Sequence, residues 1–295
     1  MSRPGILLAL ACAVVWARTA EGGDNMAAHP AGEVLDWFRG ANPCNVARRG
    51  DIGWQEFRER FKGRLPVVFS ANASGFRAET TREALTGAYG DVEVVLASSN
   101  SFSAGRLDAT LREYVEDHMR AQTLDSLANQ SWYLFGDTRG PAWEALQSKY
   151  RPPLDGAADD PAVSLGVGGR RSGVSFHTHG PAYAETVHGA KRWFLAPPDS
   201  RPAFHPDRSS LSWVAGEYVT ALRGGCGGGA RADGPGWPAR CWAAAGNATV
   251  AAGVVECTVA EGEALYIPPG WWHATLNLEA WNVFVSTFTH EDEPE

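Results

Sequence analysis

The stretch VSFHTHGPAYAETVHGAKRWFLAPP, residues 174–198, holds two of the chain's eight histidines one residue apart, His177 and His179, bounded by strand-forming residues. In extended backbone, residues i and i+2 point the same way, so the two imidazoles face a common side. Farther on, EGEALYIPPGWWHATLNL (261–278) passes through Pro268-Pro269-Gly270, a strong turn signal, and places His273 at the start of a strand just beyond it. A histidine pair on one strand and a third on a distant strand is how antiparallel barrels assemble a metal site at one mouth. Imidazole suits iron, zinc and copper alike, so the ligand set does not select the metal.

Working outward, ETVHG, KRWFLAPP, EALYIPP and NVFVSTF recur as short strand-like runs separated by turn signals, which points to a double-sheet barrel. On the N-terminal side, SWYLFG (131–136), DVEVVLAS (91–98) and PVVFS (66–70) read as strands. The apolar spacing of Trp54, Phe57 and Phe61 predicts a helix within 51–64. Thr80 with Glu83 reads as a capping box before a helix at 81–88, and LDATLREYVEDHM (107–119) reads as helical. The Gly- and Ala-rich run 223–247 reads as a surface insertion. The expected organisation is a signal segment over 1–22, a helical or extended segment over 23–65, a barrel over 66–290 and an acidic tail over 291–295.

The formal charge is −8 and no run of five basic residues occurs, which argues against nucleic acid as a partner. Arg3 followed by ILLALACAVVWA (6–17) has the form of an export signal, cleaved between Ala17 and Gly22, and is too short to span a bilayer. No later segment reads as a membrane span. Removing the signal leaves Cys44, Cys226, Cys241 and Cys257, an even number suited to an oxidising compartment, which allows three pairings. Three sequons, at Asn72, Asn129 and Asn247, fit the same secretory setting as candidate glycosylation sites.

The blocks FHTHGPAY, GAKRWFLAPP and PPGWWHATLNL, together with FHPDRSSLSW (204–213) and LASSNSF (96–102), resemble the JmjC domains of the cupin-barrel oxygenases that use Fe(II) and 2-oxoglutarate. The resemblance runs from about Pro66 to Thr289. It implies a mainly β, double-stranded β-helix (jelly-roll) barrel with flanking N-terminal helices. His177 and His273 match the two histidines of the family's iron triad, and Lys191 matches the lysine that pairs with the distal carboxylate of 2-oxoglutarate. Composition adds a hint. Lysine is scarce, three among 26 basic residues, and a compact ammonium enters pockets that a guanidinium does not fit. The resemblance further implies a place in the endoplasmic reticulum lumen, a protein substrate or partner, and a Cys44–Cys257 bridge, with Cys226 and Cys241 pairing inside the insertion.

One position departs from the pattern. Where such oxygenases place aspartate or glutamate, this chain has His179, which is either a third ligand or a wall of the pocket. A carboxylate would leave a divalent site with a net charge of about +1, and a neutral imidazole leaves about +2. Glu185, later in the same run, is a substitute source of carboxylate. His188 and His205 read as structural or exposed. Three functions follow: a 2-oxoglutarate oxygenase, a catalytically degenerate barrel that regulates signalling or metabolism by binding proteins, and a three-histidine cupin enzyme that does without 2-oxoglutarate.

Overall fold

Twelve strands build two sheets in the computed structural model, which describes residues 35–36, 38–39, 44–124, 126–136, 138, 140–154, 161–220 and 253–289. The expected signal over 1–22, the insertion over 223–247 with Cys226, Cys241 and Asn247, and the tail over 291–295 lie outside the described residues. The strands are β1 (Ala47–Arg48), β2 (Val67–Ser70), β3 (Glu93–Ser98), β4 (Arg106–Thr110), β5 (Trp132–Phe135) and β6 (Ala162–Gly168). They continue with β7 (Ala182–His188), β8 (Ala190–Ala196), β9 (Val255–Ala260), β10 (Glu263–Ile267), β11 (Trp272–Asn277) and β12 (Asn282–Phe288). A nine-stranded sheet runs β1-β2-β10-β7-β12-β6-β5-β3-β4, and a three-stranded sheet runs β11-β8-β9.

The chain alternates between the sheets, as a double-stranded β-helix must: β7 lies in the large sheet, β8 and β9 in the small one, then β10, β11 and β12 alternate. Gly189 makes the first crossing. Its φ of +80° suits glycine, and a Cβ there would come within 2.5 Å of the Asn282 side chain. Period-two alternation sorts side chains between faces. Ala184, Leu265 and Ile267 of the large sheet meet Trp193, Leu195, Cys257 and Val259 of the small one. Their neighbours point outward. Tyr183 and Tyr266 pack under Phe57 of helix α1 (Trp54–Arg60), and Val187, Val283 and Val285 pack under Trp143 and Leu146 of a helix over Pro141–Gln147. On the outer face of the small sheet, Phe194 and Leu276 are covered by Phe38, Leu211 and Tyr218. Buried there, Arg192 donates to Glu256, which also accepts hydrogen bonds from the Tyr218 hydroxyl at 2.8 and 3.0 Å. A buried charge needs such partners.

Three sequence expectations are corrected. The run 107–119 is not one helix: Arg106–Thr110 is β4, and the helical turns begin at Leu111. Leu107 and Ala109 pair with Leu96 and Val94 of β3, and this cross-strand packing overrides local helix preference. Thr110 with Glu113 then forms the capping box that starts the turn. The helix over Arg82–Tyr89 is capped by Thr81, whose hydroxyl accepts from Ala84 N–H, and not by Thr80. Thr80 is fully buried and donates to the Phe76 carbonyl at 3.0 Å, so its oxygen is committed to the preceding helix. Finally, FHTH is not a continuous strand; His177 makes a single bridge. Strands β6 and β9 add to those the sequence singled out. Among the described residues, no helix is long and apolar enough to cross a membrane.

Cys44 and Cys257 form a disulfide that ties the segment before β1 to β9 across 213 residues of chain. Closing a loop of that length removes unfolded-state entropy equivalent to about 5 kcal/mol at most in the chain-entropy treatment. The paired substitution Cys44→Ser with Cys257→Ser should therefore lower the Tm in non-reducing buffer, by up to about 15 °C. Thermal melts followed by circular dichroism check this, with wild type in dithiothreitol expected to melt alongside the variant.

Candidate metal centre

Two backbone hydrogen bonds assemble the site. His177 N–H donates to the His273 carbonyl at 3.1 Å, and His273 N–H donates back to His177 at 2.9 Å. This antiparallel bridge lies on the free edge of β11 and brings together residues 96 positions apart in the chain. His179 is fixed from the other side. Its carbonyl accepts from Gly270 N–H at 3.0 Å, inside the Pro268–Gly270 turn, where Gly270 has a φ of +71°. The turn that sets His273 at its strand start thus also clasps the His179 backbone.

The three rings converge. Centroids lie 4.2 Å apart for His177 and His273 and 4.4 Å apart for His179 and His273. One ring nitrogen from each lies within 4.8 Å of the others. Their protonation follows from the backbone. Nδ1 of His177 meets the Ser175 carbonyl at 2.8 Å, that of His273 meets the Trp271 carbonyl at 2.9 Å, and that of His179 meets the Gly180 carbonyl at 2.6 Å. A carbonyl only accepts, so each Nδ1 carries the proton and each Nε2 keeps its lone pair. Orientation of a ligating imidazole through its other nitrogen is how proteins prepare metal ligands. Burial pushes the His177 pKa down to about 4, with the neighbouring His179 and Lys191 adding to the effect. It also lowers His179, and holds His273 well below its usual range, aided by the other two rings. The donor set therefore fits a divalent transition metal.

Lys191 sits on the same inner face, on the rung that pairs it with Asn277, while His273 pairs with Leu195 four residues nearer the mouth. The ammonium is buried, and burial holds its pKa well below the ordinary lysine value. Among the described residues no acid pairs with it; its neighbours are the rings of Phe284 and Trp193, with Nζ 3.0 and 5.3 Å from their centroids. Both the lysine and the three histidines line one cavity of about 310 Å³. None of the described residues in its wall is an aspartate or glutamate.

Glu185 does not supply one. It alternates with Ala182 and Ala184 along β7 and so faces the outer layer, where its carboxylate accepts from the Tyr150 hydroxyl at 2.8 Å. Burial raises its pKa to about 7 there. His188 and His205 lie outside the cavity wall, hydrogen-bonded to the Arg77 carbonyl and Asp207 N–H. Asn72 and Asn129 are exposed. Sequence reasoning missed much of the wall, including Arg106, Tyr133, Phe135, Thr275, Phe284 and the β3–β4 loop with Ser101, Phe102 and Ser103. The signal is partly in view in LASSNSF and FHPDR, two of the stretches that carry the family likeness. Folded, they meet at the mouth through Ser101 N–H and the Pro206 carbonyl at 2.9 Å.

The family profile described as a cupin-like domain matches residues 54–292. JmjC domain-containing protein 8 of Homo sapiens is 37% identical over 290 residues, spanning 97% of this chain and 98% of that protein. The chain belongs to the cupin-like JmjC family. Its Rattus norvegicus relative of the same name is 38% identical over 250 residues, spanning 83% of this chain and 82% of that one. Among solved structures, YcfD, a ribosomal oxygenase from Escherichia coli in complex with cobalt and succinic acid, gives a TM-score of 0.44 at 16% identity, over 85% of this chain and 53% of that one. JmjC proteins of this family typically use Fe(II) and 2-oxoglutarate, and the cluster of His177, His179 and His273 could hold a metal ion.

The depressed histidine pKa values carry a stability consequence. Between about pH 6.5 and 4 the unfolded chain binds a proton at His177 and the folded, metal-free chain does not, so stability falls as pH falls through that window. Urea unfolding of metal-free protein at pH 7 and pH 5 should show this loss, and His177→Gln should shrink the difference by about 2 kcal/mol. An unchanged difference would mean that His177 titrates normally.

Proposed function

We propose that this chain is an oxygenase of the protein-hydroxylase type, holding Fe(II) through His177, His179 and His273 and 2-oxoglutarate through Lys191, in the lumen of the endoplasmic reticulum. The observation that carries the reading is the convergence of three proton-free ring nitrogens and one buried ammonium on a single cavity. With no acid in the described wall, an ion held by three neutral rings keeps its full charge, so a bound organic acid supplies the anionic donors. Bound Fe(II) and 2-oxoglutarate, with dioxygen as the oxidant, would supply oxidative decarboxylation of the acid to succinate and carbon dioxide coupled to hydroxylation of a C–H bond.

The chain's own residues orient and enclose. Backbone bonds fix His177 and His273, and Lys191 takes the far carboxylate of the acid. Trp193, Phe135 and Phe284 keep water from the cavity floor. Tyr133 and Ser103 hydroxyls, 2.9 Å apart, give the wall a polar edge. A cavity of about 310 Å³ has room for the acid and one side chain, and Phe102, 74% exposed at the mouth, offers an apolar contact to the polypeptide that carries it. The luminal setting is supported by the Cys44–Cys257 bridge and by the apolar run 6–17, with Asn72 and Asn129 as sugar acceptors.

A second reading is favoured by His179 itself. If oxygen chemistry needs an anionic protein ligand, the barrel binds metal and acid without turnover and regulates signalling by binding a protein partner. Anaerobic calorimetry and a succinate-release assay separate the two. The oxygenase reading expects Fe(II) to bind at least tenfold tighter with 2-oxoglutarate present, succinate to form, and His273→Ala to abolish both. Binding without succinate in wild type, with turnover gained in His179→Asp, would establish the second reading; no metal bound at all would sink both.

A further inference from the structure

Phe284 covers one side of the Lys191 ammonium within the cavity that both residues line. The ring belongs to β12 and faces inward, with Lys191 Nζ 3.0 Å from its centroid. Its position is built in from two other directions. Phe135 stacks on it at 5.7 Å with the planes 21° apart. Across the β6–β12 pair, Gly166 stands directly opposite, and a Cβ at that position would fall 2.2 Å from a ring carbon. Glycine at 166 is therefore what lets the ring reach the ammonium. A carboxylate oxygen bonded to an ammonium sits at about 2.7–2.9 Å from the nitrogen, in the shell this ring already enters. The ring's electron-rich face meanwhile stabilises the cation with no anion present.

We propose that Phe284 is a built-in competitor for the Lys191 ammonium: the ring shields the cation until an acid displaces it, and so determines which acids the cavity accepts. The inference rests on the assignment of Lys191 as the anchor of 2-oxoglutarate. It makes Phe284 a specificity-determining residue. An acid with a second carboxylate that reaches the ammonium overcomes the ring; a monocarboxylate bound only near the histidines leaves the ring in place.

The test uses full-length protein loaded with Zn(II), a diamagnetic probe ion, and measures 2-oxoglutarate affinity by calorimetry in wild type and Phe284→Leu. The variant should bind about tenfold tighter, while pyruvate, which lacks the second carboxylate, should bind both proteins equally. Equal or weaker binding of 2-oxoglutarate by the variant would overturn competition and leave the anchoring role of Lys191 standing. No binding by either protein would overturn both. A second measurement reads the wild-type protein and uses a variant only to assign the signal. The chain has only three lysines, Lys62, Lys149 and Lys191, so 13C-lysine spectra should resolve the Lys191 ε-methylene, assigned by Lys191→Arg. Its protons should be shifted upfield by the ring and move downfield as 2-oxoglutarate saturates the wild type. Saturation without that movement would also overturn the proposal.

Discussion

Everything at the mouth of this barrel depends on one pair of reciprocal backbone hydrogen bonds, between His177 and His273. They join the free edge of β11 to a segment outside the named strands, and bring a loop residue and a strand residue into register with their rings on the same side. Because the main chain makes the contact, ring placement does not wait on a metal. The Nδ1 contacts to Ser175, Trp271 and Gly180 carbonyls add the rotation of each ring about that fixed frame. The first set uses main-chain groups that every residue has, and in the second each imidazole donates its Nδ1 proton to a main-chain carbonyl. What each ring has left over is the Nε2 lone pair.

The electrostatics of the cavity follow from what is missing as much as from what is there. A divalent ion facing three neutral rings, with an ammonium on the same cavity wall, is a site poor in negative charge. Burial favours neutral imidazole and penalises the lysine cation, so the two kinds of residue respond to the same low dielectric in opposite ways. Such a site is suited to an anionic ligand that touches both ends. The exchange of a family carboxylate for His179 sharpens that demand without removing the capacity to hold metal. Glu185 cannot relieve it, because strand alternation commits it to the opposite face, where Tyr150 satisfies one of its oxygens.

Much of this was legible in the sequence, and the parts that were not have a common cause. The double-sheet barrel followed from short apolar runs with turn residues between them, and the clustering of His177, His179 and His273 was in view from their spacing and from the strand start after Pro268-Pro269-Gly270, although 177–179 is not a strand. Local reading failed where distant pairing decided the outcome. Leu107 and Ala109 look helical alone and become strand only because β3 lies beside them. Thr80 looks like a cap until burial commits its hydroxyl to Phe76. Phe284 and Gly166 are unremarkable 118 positions apart, and their complementarity exists only across the β6–β12 register. Tyr133 and Ser103 likewise meet only once the β3–β4 loop folds over the cavity.

The central claim is that three imidazoles, and not two, hold a single ion. X-ray absorption at the metal edge of the Zn(II)-loaded protein addresses it most directly, because imidazole scattering counts the rings bound. The account expects three histidine nitrogens at about 2.0–2.1 Å, falling to two in His179→Ala. Two rings in the wild type, unchanged in that variant, would contradict it and reduce His179 to a wall of the pocket.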